Sequence, residues 1–145
     1  MTTNESNAGR ETGVRVSTDP AEIDLDWLHP ALSERAYWAL GRSRETVAAA
    51  VAGSLCFGAY DGDRQVGFAR VITDEATFAW ICDVFVEESA RGRGIGDQLL
   101  ATIVGHPRLA GLRLVLATRD AHGLYERHGF RPLANPERWM ERPRS

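Results

Sequence analysis

The sequence predicts a single mixed α/β domain in which a mostly antiparallel sheet is flanked by about four helices. A length of 145 residues suits one domain with one hydrophobic core. Apolar runs of strand length follow one another around tight turns before residue 87, and strand-like runs alternate with helical spacing after it. Residues 1–12 are polar and are predicted to be a disordered tail, so the domain covers residues 13–145.

The chain between residues 13 and 54 is predicted to form one strand followed by two helical segments. The strand covers residues 14–18. Helical spacing across residues 22–40 is expected to break at Pro30, because proline removes a backbone donor and crowds the preceding turn. Ser43 is suited to cap a second helix that ends at Gly53.

Three strands are predicted next. The runs Leu55–Tyr60 and Gln65–Thr73 flank Asp61-Gly62-Asp63-Arg64, whose composition is typical of a hairpin turn. Phe78–Val86 is almost uninterrupted in apolar residues, so we expect an interior strand that is covered on both faces. Together these runs predict an antiparallel meander.

The last third of the chain alternates between the two periods. Apolar residues between Ile95 and Val104 fall on one helical face, and Leu112–Ala117 has the composition of a strand. Helical spacing returns over residues 121–128. Phe130–Leu133 and Trp139–Glu141 are predicted as two final edge strands.

Composition and charge exclude several classes of function. All 17 basic residues are arginines, which excludes a lysine Schiff base and the lysine of a phosphate-binding P-loop. Residues 1–90 carry 7 arginines and 15 acidic residues, a balance of −8, whereas residues 91–145 carry 10 and 5, a balance of +5. An anionic ligand is therefore expected near the C-terminal segment and a cationic one near the N-terminal segment. No dense basic run indicates nucleic-acid binding, and no apolar run has the length of a membrane span.

The cysteines and histidines predict neither a disulfide nor a metal site. Cys56 and Cys82 lie in apolar runs with no secretory signal before them, which favours buried free thiols in the cytoplasm. His122 and His128 are six positions apart and would lie on different faces of a helix, so they do not form a metal-ligand pair.

The segment Arg91-Gly92-Arg93-Gly94-Ile95-Gly96 joins the apolar strand to a predicted helix. Its glycines allow close approach of the backbone to a ligand, and the helix N-terminus adds free N–H donors. With the two arginines, this composition suits a diphosphate. A tight turn with two solvated arginines is the alternative. A dinucleotide fold is disfavoured, since no acidic residue lies about twenty positions further on, at residues 114–118.

Two motifs resemble those of the GNAT N-acetyltransferase superfamily. The first is Val84-Phe85-Val86 followed by Arg91-x-x-Gly94-x-Gly96, which resembles the acetyl-CoA signature. The second is Ala121-x-x-Leu124-Tyr125-x-x-x-Gly129-Phe130. The resemblance implies a sheet with splayed central strands and an enzyme that uses acetyl-CoA as co-substrate to acetylate an amine by direct attack in a ternary complex. A non-catalytic acyl-CoA-binding sensor is the alternative.

The resemblance also implies roles for the residues of both motifs. The strand before the loop would bind the pantetheine arm through its backbone, and an N–H near Phe85 would polarise the thioester carbonyl. Thr118 stands where the family often has an asparagine that contacts this arm. The predicted cofactor-binding residues are Val84, Phe85, Val86, Arg91, Gly92, Arg93, Gly94, Ile95, Gly96 and Thr118.

Tyr125 and Asp83 are the predicted catalytic residues. Tyr125 resembles the family's tyrosine that protonates the leaving thiolate. Asp83 is the one charge within its apolar strand, where it could accept the amine's proton or bind a cationic substrate, or form a structural ion pair with Arg70. The acceptor is expected to be a small-molecule or peptide amine, a homodimer is compatible with the resemblance, and the predicted acceptor contacts are Tyr37, Trp38, Arg42 and Trp80.

Overall fold

The fold is a five-stranded sheet with helices on both faces, seen in a computed structural model that describes residues 12–145. The predicted tail therefore lies outside the described residues, apart from Thr12. Neighbouring strands follow the chain order; the first three pairs are antiparallel and the last is parallel. This confirms the predicted mixed, mostly antiparallel sheet. The strands are β1 (Arg15–Ser17), β2 (Leu55–Asp61), β3 (Arg64–Thr73), β4 (Phe78–Val86) and β5 (Arg113–Leu116), and the α-helices are α1 (Leu25–Pro30), α2 (Arg44–Ala52), α3 (Ile95–Val104) and α4 (His122–Glu126).

The predicted helix signals act as expected, with one difference at Pro30. Ser43 caps α2, since its Oγ accepts a hydrogen bond of 3.1 Å from the Thr46 N–H. The expected break after α1 is a change of hydrogen-bonding pattern, because the chain passes at Pro30 into a π-helical turn, Ala31–Arg35. Proline cannot donate to the preceding turn, which explains why the α-helical pattern ends there.

Two hydrophobic clusters cover the two faces of the sheet. One lies between the sheet and α3, and the other lies between the sheet and the helices α1 and α2. Burial of these side chains removes apolar surface from water and is the main stabilising contribution to the fold. The largest buried members of the first cluster include Phe57, Ile81, Ile95, Leu99 and Ile103, and those of the second include Leu28, Leu32, Val47, Phe68 and Phe85.

The burial of β4 differs from the prediction. Its position between β3 and β5 is interior, as expected, but its residues alternate between buried and half-buried. Trp80 is half-buried, and Ile72, which lies opposite it in the register, is 44% exposed. The prediction of cover on both faces was therefore wrong for this end of β4, where α1 and α2 do not fully cover the sheet.

The two predicted edge strands at the C-terminus are absent from the described chain. Residues 129–134 and residues 113–118 both line a cavity of about 660 Å³, and within residues 12–145 no strand pairs with β5 other than β4. Pro132 has no N–H to donate to a strand partner. The region of the second predicted strand follows a 3-10 turn, Pro136–Arg138, and pairs with no strand. Both predictions were wrong, and β5 is the last strand of the described sheet.

Candidate active site

The central strands separate at one end of the sheet. β4 pairs with β5 from Phe78 to Ile81, and β5 then ends at Leu116 while β4 continues to Val86. Within residues 12–145, the β5-facing edge of the second half of β4 therefore has no strand partner. Backbone groups along such an edge are free to bind another extended chain or a ligand. We call this gap the β4–β5 opening.

A bulge at Asp83 accompanies the opening. Asp83 has a φ angle of 52°, and the register between β3 and β4 shifts beside it. An extra residue in one strand reverses the faces on which later side chains lie. Ile81 accordingly belongs to the cluster under α3, whereas Phe85 belongs to the cluster under α1 and α2.

Asp83, Arg42, Arg70 and Trp38 form a buried polar cluster at this bulge, which we call the Asp83 centre. Asp83 Oδ1 accepts a hydrogen bond of 2.8 Å from Trp38 Nε1. Its Oδ2 accepts one of 2.9 Å from Arg42 Nη1 and one of 2.8 Å from Arg70 Nε. Asp83 is 4% exposed, so these three donors replace the water that its carboxylate has lost.

The Asp83 carboxylate is held in its charged form. Burial alone would raise the pKa of Asp83, but the hydrogen bond and charge of Arg70 and the charge of Arg42 outweigh burial and lower the pKa below its ordinary value. Of the two alternatives that the sequence left open, the ion pair with Arg70 is present. A carboxylate with a lowered pKa and three donors is a weak proton acceptor.

The adjacent aromatic residues Tyr37 and Trp38 contact both sides of the β4–β5 opening. Their rings pack edge to face, with centroids 5.0 Å apart. Trp38 reaches β4 through Asp83, while the Tyr37 hydroxyl accepts a hydrogen bond of 3.3 Å from the Arg119 N–H, which follows β5. The Arg119 guanidinium stacks 3.7 Å from the Tyr37 ring centroid.

Tyr125 of α4 lies beneath the same region. Its side chain lines the 660 Å³ cavity together with Thr118 and His122, and the residue is 9% exposed. Burial, with a smaller contribution from Tyr37, raises the pKa of Tyr125 above its ordinary value, so the phenol keeps its proton at neutral pH. Thr118 Oγ1 accepts a hydrogen bond of 3.1 Å from the Ala121 N–H and holds the turn into α4.

The glycine-rich loop runs from the end of β4 to α3. Gly92 and Gly94 have φ angles of 83° and 81°, a backbone conformation that side chains other than glycine rarely adopt. The α3 helix begins directly after Gly94, so its first N–H groups have no intrahelical acceptors. A Cβ atom added at Gly92 would have no other heavy atom within 4 Å beyond its neighbours in the chain. The loop therefore exposes backbone donors to an open surface, as a phosphate site requires.

The two arginines of the loop have different partners. Arg91 Nε donates to the Val86 carbonyl at 3.0 Å, and its guanidinium lies 5.6 Å from the Phe85 ring centroid. Arg93 points the other way and donates to Asp61 at 3.1 Å and to the Thr12 carbonyl at 2.6 Å. Arg91 thus lies beside the opening, whereas Arg93 fastens the β2–β3 turn and the start of the described chain.

One carboxylate near the loop is paired with two basic residues that directly follow α4. Asp97, in the first turn of α3, accepts bonds of 3.2 and 3.1 Å from Arg127, and His128 Nε2 lies 2.8 Å from it. Hydrogen bonding to Arg127 is the main cause that lowers the pKa of Asp97. Pairing reduces the repulsion that this carboxylate would exert on an anion at the helix N-terminus.

Comparison with known proteins agrees with this geometry. The acetyltransferase (GNAT) domain family matches residues 52–132, which include β2 to β5 and the glycine-rich loop. A Gibberella zeae protein described as an acetyltransferase is 31% identical, and the match covers 76% of this chain and 74% of the relative. The chain belongs to the GNAT acetyltransferase family.

Solved structures share the fold of this GNAT domain. A Xanthomonas campestris structure described as a GNAT-family acetyltransferase has a TM-score of 0.88 and 48% identity, and the match covers 90% of this chain and 92% of that one. A structure of a Staphylococcus aureus protein of unknown function has a TM-score of 0.72 and 26% identity. The match covers 91% of this chain and 99% of that one.

The GNAT domain brings most of the predicted acceptor residues together. Tyr37, Trp38 and Arg42 meet at the Asp83 centre, but Trp80 has no hydrogen bond or ring contact with them within residues 12–145. Sequence reasoning missed Arg119, which is 82 positions from its partner Tyr37, and no local signal predicts such a contact. No helix of the described chain is long and apolar enough to cross a membrane, and residues 12–145 contain no group of three potential metal-ligating side chains.

Proposed function

We propose that this GNAT domain transfers an acetyl group from acetyl-CoA to a primary amine of a small molecule or peptide, by direct attack in a ternary complex. The observation that carries the proposal is the β4–β5 opening, which has a free strand edge on one side and the buried phenol of Tyr125 nearby. The Asp83 centre lies at the start of that edge. The thioester, the phenol that donates a proton and the acceptor amine can thus meet at the β4–β5 opening.

The described residues fit acetyl-CoA. The backbone of Val84, Phe85 and Val86 has no strand partner on the β5 side, which suits an extended pantetheine arm. The positive-φ glycines and the α3 N-terminus suit its diphosphate, with Ile95 and Gly96 supplying N–H donors and Arg91 supplying charge. When bound, acetyl-CoA supplies an activated acyl group and a thiolate leaving group.

The free edge of β4 polarises the thioester carbonyl in this proposal. An N–H near Phe85 donates to the oxygen on which negative charge develops as the amine attacks. A fixed donor of this kind contributes about 2.7–4 kcal/mol to transition-state stabilisation in other acyl-transfer enzymes. The bulge at Asp83 supports this role because it bends the strand just before Phe85, where pairing with β3 continues and pairing with β5 has ended.

Tyr125 donates the proton that the departing thiolate needs. Its raised pKa keeps the hydroxyl protonated at neutral pH, which is the form that a general acid requires. As the C–S bond breaks, the phenol gives its proton to the sulfur on which negative charge develops, so that coenzyme A leaves as the thiol. Tyr125 then regains its proton from solvent through the cavity that it lines.

An ordered water, and not Asp83, removes the proton from the attacking amine. Both oxygens of Asp83 already accept hydrogen bonds, and its pKa is lowered. Asp83 instead acts as a positioning residue, since it fixes Arg42, Arg70 and Trp38 beside the free edge of β4. A water molecule can act as the base in place of a carboxylate when the acceptor amine is partly neutral at the working pH.

We also propose that the protein acts in the cytoplasm. Cys56 and Cys82 are both free thiols, and Arg70 lies between them in the sheet register. Burial raises the pKa of Cys56 to about 12 and that of Cys82 to about 11, so neither forms a reactive thiolate at neutral pH. Two unpaired, unreactive thiols are typical of proteins in a reducing compartment.

Two measurements test the function. Saturating acetyl-CoA at a hundred times its Kd should raise the melting temperature by roughly 5 to 10 °C. Thiol release from acetyl-CoA is then followed over a panel of primary amines, and at least one should give release well above background. A melting shift without release from any amine would instead support the non-catalytic acyl-CoA sensor. No shift at millimolar acetyl-CoA would contradict both functions.

A further inference from the structure

The Asp83 centre carries an excess of positive charge. Arg42 and Arg70 both pair with the single carboxylate of Asp83, at 2.9 and 2.8 Å. No other acidic side chain within residues 12–145 forms an ion pair with either arginine. One of the two positive charges therefore has no matching negative charge in a half-buried site, and a half-buried unmatched charge favours an anionic ligand.

Arg42 has the free donors to bind such a ligand. Only its Nη1 donates to Asp83, and Nε and Nη2 have no hydrogen-bond partner in the described chain. The Arg42 side chain is 19% exposed, and no buried side-chain nitrogen of the described residues lacks a partner, so these two nitrogens reach solvent. Neighbouring Nε–H and Nη–H groups form a planar fork that matches the two oxygens of a carboxylate.

The backbone around Arg42 is held in place before any ligand binds. His29 Nε2 lies 3.1 Å from the Arg42 carbonyl oxygen, and the Gly41 N–H donates to the Ser33 carbonyl at 2.9 Å. Gly41 has a φ angle of 78°, which permits the tight turn before Arg42. A guanidinium fixed both by its backbone and by Asp83 loses little freedom when it binds, and this favours affinity.

The surroundings of Arg42 fit a small organic acceptor. Trp38 shares Asp83 with Arg42, and the ring of Tyr37 packs on Trp38, so two partly exposed aromatic rings belong to the same cluster of side chains as Arg42. Asp83 directly precedes the free edge of β4, where the thioester is proposed to lie. An acceptor anchored at Arg42 therefore needs only a few bonds between its anionic group and its reacting amine.

We propose that the acceptor carries a carboxylate close to its primary amine, as in an amino acid, and that Arg42 binds this carboxylate. The inference rests on the acetyltransferase function proposed above and names its acceptor class. An anionic group on the acceptor is the opposite of what net charge predicts. The segment before residue 91 is acidic overall, which favours a cationic ligand, whereas the Asp83 centre carries an excess of positive charge.

The test compares matched acceptors in the thiol-release assay. The panel contains amino acids, the same compounds with the carboxylate converted to an amide, and an aminoalkyl phosphate. We expect kcat/KM for an amino acid to exceed that for its amide by about tenfold or more, because a charge-assisted bidentate contact is lost in the amide. Arg42→Gln should bring this ratio close to one, and Arg42→Lys, which keeps the charge without the fork, should restore part of it.

Arg44→Gln is the matched control. Arg44 is a nearby exposed arginine whose partner Asp26 is largely exposed, so its loss removes the same charge outside the site. The ratio should stay at the wild-type value in this variant. A melting curve reports whether Arg42→Gln is folded; if it is not, the wild-type ratio and Arg42→Lys decide the question.

The outcomes separate the inference from the function on which it rests. Release with several amines but equal kcat/KM for acid and amide would overturn the carboxylate assignment and leave the acetyltransferase function intact. A clear preference for the aminoalkyl phosphate over every amino acid would overturn it in favour of a phosphate-bearing acceptor. Absence of release with all amines would instead contradict the function itself.

Discussion

The two halves of β4 are both rich in apolar residues but have different surroundings. Phe78–Ile81 pairs with β5 on one side, and Ala79–Ile81 also pairs with β3 on the other. Residues 82–86 pair with β3 alone, because β5 ends at Leu116. Asp83, with its positive φ angle, lies at the change from one half to the other.

One strand thus contributes both to the stability of the fold and to a ligand-binding edge. In the first half, neighbouring strands satisfy the backbone groups, so this half contributes mainly to stability. In the second half, the backbone groups on one edge stay available, and the structure is maintained by side-chain contacts at the Asp83 centre. Substitutions at the boundary should therefore affect stability most, and substitutions further from it should affect ligand binding.

The largest effect is expected from Asp83→Ala, at the boundary of the two halves. Removal of the carboxylate leaves Arg42 and Arg70 close together without a counter-charge in a half-buried site. Loss of one partner of a buried ion pair typically costs about 3–5 kcal/mol. Urea unfolding should show a decrease of this size in the free energy of unfolding.

A surface ion pair provides the control for Asp83→Ala, and the pH dependence of the free energy of unfolding provides a second measurement. Asp26→Ala removes the partner of Arg44 from a site where Asp26 is 86% exposed, so a loss of less than about 1 kcal/mol is expected. The pKa of Asp83 is lowered from 3.8 in the folded protein, so its stabilisation is complete above pH 3.8 and is lost as the pH falls through the lower folded pKa. Equal losses in the two variants would show that the Asp83 centre does not hold the boundary.

The next effect concerns the chemistry beside the second half of β4. Tyr125→Phe keeps the ring that packs edge to face on Phe130 at 6.0 Å and removes only the hydroxyl. A general acid contributes about a hundredfold or more to the rate, so kcat should fall by at least that factor while KM for acetyl-CoA changes little. Because the pKa of Tyr125 is raised above 10, ionisation of this phenol should not lower the wild-type rate below pH 10.

Tyr60→Phe serves as the matched control for the loss of a hydroxyl. Tyr60 lies on β2, its hydroxyl donates to the Glu22 carbonyl at 3.0 Å, and its pKa is raised to about 12. This variant should keep the wild-type kcat at the cost of one hydrogen bond. A Tyr125→Phe enzyme with unchanged kcat would assign the proton transfer to another group or to water.

The same contrast between local and distant contacts separates what the sequence predicts from what it does not. The almost uninterrupted run of apolar residues gives β4 its correct bounds, and the composition of the turn predicts the β2–β3 hairpin, because both signals lie within a few residues. The glycine-rich loop is recognisable for the same reason. Each of these features is determined mainly by its own segment of chain.

The Asp83 centre depends instead on contacts that no local pattern encodes. Trp38 is 45 positions from Asp83, and Arg42 is 41 positions from it. The balance of −8 over residues 1–90 predicts a cationic ligand, yet the charge that matters is set by three side chains that folding brings together. The predicted strand at Phe130–Leu133 fails for a related reason, since strand formation requires a partner strand and this segment pairs with none in the described sheet.

The smallest effect is expected in the loop beyond β4, where the two arginines should differ. Arg91 lies against Val86 and Phe85 beside the free edge, whereas the Nη atoms of Arg93 are occupied by Asp61 and the Thr12 carbonyl. Arg91→Gln should therefore raise KM for acetyl-CoA about five- to tenfold through loss of one charge-assisted phosphate contact. Arg93→Gln should raise it by less than about twofold and lower stability by no more than an exposed ion pair contributes.

The salt dependence of the same constants distinguishes a phosphate contact from a structural one. An exposed charge contact with a phosphate is screened by salt, so the difference in KM between wild type and Arg91→Gln should shrink as ionic strength rises. The small effect of Arg93→Gln should be seen in the melting temperature. If instead Arg93→Gln raised KM as much as Arg91→Gln, Arg93 would have to leave Asp61 and Thr12 when acetyl-CoA binds. The start of the described chain would then be coupled to occupancy of the loop.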